Sequence, residues 1–221
     1  MLASLVARRL SGVPLPRLIG RVEFDGLELR VVDGVYIPRW TSESIARVAA
    51  ELLPDDGVAL DLCTGCGAVA AAIAARRPQA RVRAADLDPR AVACARANGV
   101  DAHVGDLFEA LPFDLAGRVD VIVTVPPFVP TDTVGSLAAD VREHEPRVAL
   151  DGGSDGLDVA RRIVAASPHW LRPGGWLVVE VGPDQVHALS TAFDPPTWRR
   201  STIVVDPDGD ACGLVASSRT S

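Results

Sequence analysis

Three aspartates and two glycines have the chemistry and the spacing of a nucleoside-binding site. Asp61 closes a short apolar stretch and is followed by Gly65-x-Gly67, while Asp86 and Asp106 follow the next two apolar stretches. Glycines between a strand and a helix let the backbone approach a ligand closely. A carboxylate about 20 residues further on suits the hydroxyls of a ribose.

The glycine pattern itself limits the ligand. Position 70 is alanine, where the dinucleotide fingerprint has a third glycine that serves a pyrophosphate. The pattern therefore favours a ligand without phosphate, such as S-adenosylmethionine (SAM), and Asp61 would attract its ammonium or sulfonium charge. Each aspartate alone would also suit a turn or a helix cap. Three of them at successive strand ends, with Gly-x-Gly after the first, favour a methyltransferase site.

The elements that must position these residues alternate along the chain. Apolar runs predict strands at 58–62, 81–85, 101–104, 119–124, 176–181, 199–205 and 212–217. Helical patterns predict helices at 45–53, 67–76, 89–97, 156–170 and 183–193. Strands that alternate with helices predict a mostly parallel, seven-stranded α/β sheet with helices on both faces.

Two further segments surround this pattern. Residues 22–37 alternate around Asp25-Gly26 and Asp33-Gly34, which predicts a small β-hairpin before the main sheet. Residues 131–154 are rich in charged and turn residues, and such a long irregular segment predicts a lid or binding loop. We expect a short N-terminal segment at 1–53 and a methyltransferase domain at 54–221.

Composition excludes several function classes. The 221 residues, 48% of them hydrophobic, can bury one good-sized core. A net charge of −7 argues against nucleic acid and anionic membrane as partners. No apolar run approaches the roughly 20 residues that span a bilayer, and the first ten residues lack a secretory pattern. We therefore expect a cytoplasmic protein.

Cys63 and Cys66 form a C-x-x-C, which could be a redox pair or half of a zinc site. No second Cys or His pair completes a four-ligand metal set, so we expect no metal. A redox motif would also leave Asp61 and Gly67 unexplained. Cys94 and Cys212 are expected to be small core residues.

Longer motifs give the chain a resemblance over roughly residues 12–216 to the protein-(glutamine-N(5)) methyltransferase family, whose members modify a glutamine in peptide release factors. The motifs that carry it are 20–27, 34–39, Asp61-Leu-Cys-Thr-Gly-Cys-Gly67, Asp86, Gly105-Asp-Leu-Phe108, Glu145-Pro-Arg-Val-Ala-Leu-Asp-Gly-Gly-Ser-Asp-Gly-Leu-Asp158, Glu180-x-Gly-x-x-Gln185 and Asp206-x-x-Gly209. The resemblance implies a Rossmann-like class I SAM-dependent methyltransferase. The residues that it places on SAM are Asp61, Cys63, Thr64, Gly65, Gly67, Asp86, Leu87, Gly105, Asp106, Leu107 and Val125.

The chain departs from this family at the acceptor loop. Val125-Pro126-Pro127-Phe128 stands where the family has Asn-Pro-Pro-Tyr, whose Asn side chain and a backbone carbonyl hold the target amide. Valine has no hydrogen-bonding side chain, and one lost bond is worth on the order of 1 kcal/mol. The carbonyls at 125 and 126 remain for an N–H donor. The family also carries a helical N-terminal domain, where this chain has about 20 residues.

These departures leave the methyl acceptor open. The alternatives are a protein glutamine, a small molecule of specialised metabolism, or a SAM-binding protein without catalysis. An amine, phenol or thiol acceptor would call for a general base, for which His144, Glu145 and Glu180 are candidates. Glu145 is expected to be structural instead, paired with Arg39 or Arg147.

Overall fold

A computed structural model describes residues 2–199 and 201–219. Its strands are β1 (Arg21–Phe24), β2 (Leu27–Arg30), β3 (Val58–Leu62), β4 (Arg81–Asp86), β5 (Asp101–Val104), β6 (Val119–Thr124), β7 (Leu171–Glu180), β8 (Thr202–Val205) and β9 (Ala211–Ser217). Its α-helices are α1 (Leu2–Leu10), α2 (Leu15–Ile19), α3 (Ser42–Leu52), α4 (Ala68–Arg76), α5 (Pro89–Ala97), α6 (Ala139–His144), α7 (Asp158–Trp170) and α8 (Val186–Ser190). No described helix is long and apolar enough to cross a membrane.

The main sheet has the strand order β5-β4-β3-β6-β7-β9-β8. Strands β3 to β7 pair in parallel, and β9 pairs antiparallel with both β7 and β8. The mostly parallel, seven-stranded sheet predicted from the sequence is confirmed. After β3 the chain adds β4 and β5 on one side and then places β6 on the other. The carboxyl ends of β3 and β6 therefore flank a topological switch point, where α/β proteins bind ligands.

The sheet buries a different apolar cluster on each face, because successive side chains of a strand point to opposite sides. Leu60, Ile122 and Leu177 lie in the cluster that α7 and α8 cover. The other cluster contains Val121 and Val178 from the sheet, together with residues of the hairpin, α3 and α4. The N-terminal segment thus shares a core with the sheet, and the boundary predicted at residue 53 stays a prediction.

Only the first of the two Asp-Gly pairs forms a β-hairpin. Asp25 and Gly26 both have positive φ and join β1 to β2, whereas Asp33 and Gly34 form a turn with no strand after it. A Cβ atom at Gly34 would lie 2.6 Å from Nη1 of Arg90. The second turn therefore packs against α5 instead of continuing the hairpin.

The predicted boundaries differ from the structure in three other places. Residues 131–154 are not wholly irregular, because they contain α6 and single 3₁₀ turns at Val134–Ser136 and Arg147–Ala149. Strand β7 begins at Leu171, five residues before the predicted start at 176, and its pairing with β6 has an irregular register between Val119 and Val121. The predicted helix 183–193 is a 3₁₀ turn, Pro183–Gln185, followed by α8. Arg200, part of a predicted strand, lies outside the described residues.

Candidate functional site

A cavity of about 430 Å³ opens where β3, β4 and β6 end. Most residues of the predicted site line it, although they come from four separate stretches of the chain. These residues are Asp61, Cys63, Thr64, Gly65, Asp86, Leu87, Asp106, Leu107, Val125, Pro126, Pro127 and Phe128. The carboxyl ends of neighbouring parallel strands meet at one edge of the sheet, which is why the sequence could group them.

Asp61 holds the glycine-rich turn together. Its Oδ2 accepts hydrogen bonds from the Thr64 hydroxyl at 2.6 Å and from the Ala70 N–H at 3.1 Å. The side chain thereby joins β3, the turn and the first turn of α4. Burial raises the pKa of Asp61 to about 7, against the opposing effect of these hydrogen bonds.

Asp86 fastens the same turn to the end of β4. Its Oδ2 accepts from the Gly65 N–H at 2.8 Å, and its Oδ1 accepts from the Asp88 N–H at 2.9 Å. A carboxylate offers about four lone-pair positions, so both oxygens can accept further hydrogen bonds from hydroxyl groups in the cavity. Burial raises the pKa of Asp86 from its ordinary value.

Two predicted cofactor residues, Gly67 and Gly105, lie outside the cavity wall. Gly67 has a φ of +85°, and a Cβ atom there would lie 2.9 Å from the side chain of Val100 and 3.0 Å from that of Ala95. A Cβ atom at Gly105 would lie 2.8 Å from the Ala110 Cβ. Close packing thus leaves no room for a side chain at either position, and contact of these two glycines with the cofactor stays a prediction.

Two arginines line the cavity, and both are paired with carboxylates. Arg162 of α7 donates to Oδ2 of Asp106 at 2.8 Å. Arg39 lies 3.4 Å from Oε1 of Glu145, with its guanidinium over the Tyr36 ring. A phosphate would need cations that carboxylates have not already neutralised. The charges of this cavity therefore suit a ligand without phosphate.

The loop 125–128 leaves β6 at the switch point. Thr124, the last residue of β6, donates from its hydroxyl to the Leu62 carbonyl at 2.9 Å, which fixes the two strand ends together. Among the described residues, no turn or side-chain donor is bonded to the carbonyl oxygens of residues 125–127. The Pro127 carbonyl oxygen lies against Gly152, where a Cβ atom would be 2.5 Å away. The carbonyls of residues 125 and 126 are therefore the available hydrogen-bond acceptors of the loop.

Glu145 is structural, as expected, but one of its predicted partners is wrong. Its Oε2 accepts from Arg17 at 3.1 Å, and Arg39 lies at 3.4 Å from Oε1. Arg147 instead pairs with Asp151 at 3.0 Å. Sequence reasoning missed Arg17, which is the one charged residue of α2 and has a side chain only 2% exposed.

None of the three candidate bases lines the cavity. Glu145 is held in its ion pairs, and within the described part of the chain His144 Nε2 and Glu180 Oε2 are buried without a hydrogen-bond partner. Burial raises the pKa of Glu180 to about 7, and Ser42 opposes the shift. Ser42, whose hydrogen bond opposes this shift, lines the cavity, and sequence reasoning missed it as well.

Cys63 and Cys66 do not have the character of a redox pair. A reactive thiol needs a lowered pKa and partial exposure. Burial instead raises the pKa of both thiols to about 12. Both residues line the cavity as small apolar groups.

Comparison with known proteins agrees with this geometry. A family model described as "Methyltransferase small domain" matches residues 43–145. The release factor glutamine methyltransferase of Geobacter sulfurreducens is 41% identical over 211 residues, which cover 93% of this chain and 73% of the relative. That of Mycolicibacterium smegmatis is 44% identical over 183 residues, covering 80% and 64%.

A solved structure shares the fold as well. The release factor-specific protein-(glutamine-N5) methyltransferase from Alicyclobacillus acidocaldarius is 26% identical with a TM-score of 0.52, covering 84% of this chain and 95% of that one. The chain belongs to the release factor glutamine methyltransferase family. It is therefore a class I, SAM-dependent methyltransferase, as the sequence predicted. The chain spans about two thirds to three quarters of the length of the two curated relatives described above.

The cavity is also lined by residues that the sequence reasoning did not single out. They are Tyr36, Ser42, Val129, Leu137, Val141, Val148, Leu150 and Arg162. Tyr36 lies in a motif that carried the family resemblance, and its place there was the available signal. Val148 and Leu150 likewise lie in the motif of residues 145–158, whereas Leu137 and Val141 carried no such signal, because in the sequence they resemble ordinary core positions.

Proposed function

We propose that the protein transfers the methyl group of SAM to the side-chain amide nitrogen of a glutamine in a peptide release factor, in the cytoplasm. The observation that carries this proposal is the start of the loop, residues 125 and 126, which line the same cavity as Asp61 and Asp86 and whose carbonyl oxygens accept no hydrogen bond from a turn or side-chain donor of the described residues. Carbonyls accept hydrogen bonds and cannot donate them. An acceptor group with N–H donors therefore matches this loop.

The acceptor loop addresses the main chemical difficulty of the reaction. An amide nitrogen is a weak nucleophile, and positive charge develops on its N–H groups as it is methylated. Carbonyl oxygens of residues 125 and 126, fixed by the strand end and by two prolines, would stabilise that charge. SAM, when bound, would supply a methyl group already activated on a sulfonium: the S–CH3 bond breaks as the N–CH3 bond forms, S-adenosylhomocysteine leaves, and one amide proton passes to solvent. The protein therefore chiefly provides alignment.

The cofactor end of the cavity is assigned to the remaining site residues as part of the same proposal. Asp86 would accept hydrogen bonds from the ribose hydroxyls through its free lone pairs. Asp106 and Leu107 would lie beside the adenine, and Leu87 beside the ribose. Asp61 is fully occupied on Oδ2, so its contribution to the ammonium or sulfonium charge would come from the carboxylate as a whole.

A small-molecule acceptor is the second candidate, and Val125 favours it. Valine offers no side-chain acceptor for an amide, and the cavity wall includes the apolar residues Leu137, Val148 and Leu150. An apolar amine would gain from this wall by burial. It would still donate its N–H to the carbonyls of the loop.

A labelled transfer assay distinguishes the candidates. Calorimetry with SAM comes first, and we expect binding in the micromolar range. The protein is then incubated with isotopically labelled SAM and either a bacterial release factor or a metabolite extract, and the products are identified by mass spectrometry. Label on a glutamine of the release factor supports the proposal, and label on a metabolite alone supports the second candidate.

Two results would contradict the proposed function, the first at the level of cofactor binding and the second at the level of methyl transfer. If SAM does not bind at high micromolar concentration, the cofactor proposal fails. If SAM binds and no acceptor is labelled by the wild-type chain, the protein binds SAM without catalysing transfer, which was the third alternative.

A further inference from the structure

The side chain of Gln185 uses its whole amide group to connect three segments. Its Nε2 donates to the Phe128 carbonyl at 2.7 Å and to the Asp155 carbonyl at 3.0 Å. Its Oε1 accepts from the Gly182 N–H at 3.0 Å. A glutamine amide has two N–H donors, and both are bonded to backbone carbonyls of different loops.

The segment around Asp155 approaches the acceptor loop without side chains between them. A Cβ atom at Gly152 would lie 2.5 Å from the Pro127 carbonyl oxygen. A Cβ atom at Gly156 would collide with the Phe128 carbonyl oxygen and with Gln185. These two glycines therefore let backbone pack directly on backbone, at the residues that follow the proposed acceptor carbonyls.

Backbone hydrogen bonds continue this contact beyond Phe128. The Val129 N–H donates to the Leu150 carbonyl at 2.8 Å, and the Gly152 N–H donates to the Val129 carbonyl at 2.9 Å. The Thr131 N–H donates to the Gly153 carbonyl at 2.9 Å. The loop is thus fixed at its start by Thr124 in β6 and at its end by these bonds.

We propose that Gln185 is a positioning residue for the methyl acceptor, which holds the Phe128 carbonyl and so fixes the direction of the carbonyls at 125 and 126. The inference rests on the proposed function, because it concerns the loop that would hold the acceptor. Phe128 joins the proposed acceptor residues of the loop to the segment at 129–131, whose backbone is hydrogen-bonded to residues 150–153. Without the Gln185 bond, this carbonyl would compete for the acceptor N–H groups, and the two prolines could tilt.

The same geometry predicts that Gln185 does not affect the binding of SAM. Gln185 does not line the cavity and touches none of the residues assigned to SAM. Changing it should therefore leave the affinity for SAM unchanged, within about twofold. It should loosen the loop and raise the KM for the acceptor more than it lowers kcat.

Gln185→Glu is the sharpest test, because it keeps the size of the side chain and removes both donors at pH 8. Gln185→Met removes the donors without adding charge, and decides the question if the first variant does not fold. Ala188→Glu, at an exposed position of α8, is the matched control for charge. Hydrogen exchange is measured on the amides of Val129 and Thr131, with Thr64 in the cofactor turn as internal reference.

We expect exchange at Val129 and Thr131 to rise tenfold or more in both Gln185 variants, with no change at Thr64 or in Ala188→Glu. In the transfer assay with the release factor, KM should rise tenfold or more. Unchanged exchange in the folded variants would overturn the inference, as would faster exchange with an unchanged KM. The exchange result decides whether Gln185 fixes the loop even if the release factor is not the acceptor, so failure of the proposed function is seen separately, in the wild-type chain.

Discussion

Glu180 gives the most direct test of the electrostatics of this fold. It is 5% exposed at the end of β7, and no described group donates a hydrogen bond to its Oε2. Burial raises the pKa values of Tyr36 and Cys212, and the charge of Glu180 adds to both shifts. Replacing it by glutamine keeps the shape of the side chain and removes the negative charge.

The size of the effect follows from the shift in pKa. Burial raises the pKa of Glu180 from 4.5 to about 7, and each unit corresponds to 1.36 kcal/mol, so the buried carboxylate costs about 3 kcal/mol at pH 8. The folded state holds the proton more tightly than the unfolded state. The cost is therefore complete above pH 7, falls as the pH drops towards 4.5, and is below about 1 kcal/mol at pH 5.

Urea unfolding of the wild type and Glu180→Gln between pH 5 and pH 8 measures this cost. The free energy of unfolding of the variant, relative to wild type, should rise by about 2 to 3 kcal/mol over that range. The new amide N–H groups also lack an acceptor at the position of Oε2, but this cost is the same at every pH. The pH dependence of the difference, rather than its absolute value, is thus the diagnostic quantity.

Glu145→Gln is the matched control. The Glu145 side chain is 1% exposed and lies between Arg17 and Arg39. The same chemical change should there destabilise the protein at pH 8 by about 3 kcal/mol, because it removes the buried counter-charge of Arg17 and leaves only the exposed Asp33, at 3.6 Å. A difference for Glu180→Gln that stays constant within 0.5 kcal/mol from pH 5 to pH 8 would refute the reasoning.

Three further predictions concern other parts of the molecule. Asp86→Ala should weaken SAM binding at least tenfold in calorimetry, and full affinity would contradict its assignment to the ribose. Arg17→Met should lower the free energy of unfolding by about 3 kcal/mol in urea, since it breaks a buried pair with Glu145; a loss below 1 kcal/mol would show that Arg39 suffices. Cys63 and Cys66, whose thiol pKa values burial raises to about 12, should react with a disulfide reagent at pH 8 more than roughly a thousandfold slower in the folded than in the unfolded chain. Rapid reaction in the folded state would revive the redox alternative.

The sequence was sufficient where residues act through their position at a strand end. Asp61, Asp86 and Asp106 lie far apart in the chain, yet the alternation of strands and helices already predicts that they meet at one edge of the sheet. The same pattern predicted seven strands in a mostly parallel sheet. It placed the loop 125–128 at this edge as well, because that loop follows the fourth strand of the pattern.

The sequence was less informative about glycines. Gly67 and Gly105 belong to motifs that predict cofactor contact, and the structure shows that each is also closely packed, Gly67 by Val100 and Ala95 and Gly105 by Ala110. A glycine that approaches a ligand and one that approaches a side chain look the same in a sequence. The second Asp-Gly pair, at Asp33, does not form a hairpin, because its turn packs against α5, and this contact is not visible in the sequence either.

Side-chain partners were decided only by the tertiary structure. Glu145 is bonded to Arg17 across 128 residues of sequence, and Gln185 to Phe128 across 57. Strand ends follow from local pattern, because each apolar run in the sequence stops at the polar and turn residues that come directly after it. Which arginine reaches a buried glutamate, or which carbonyl a glutamine amide meets, depends on how separate segments pack, and no local pattern in the chain encodes that geometry.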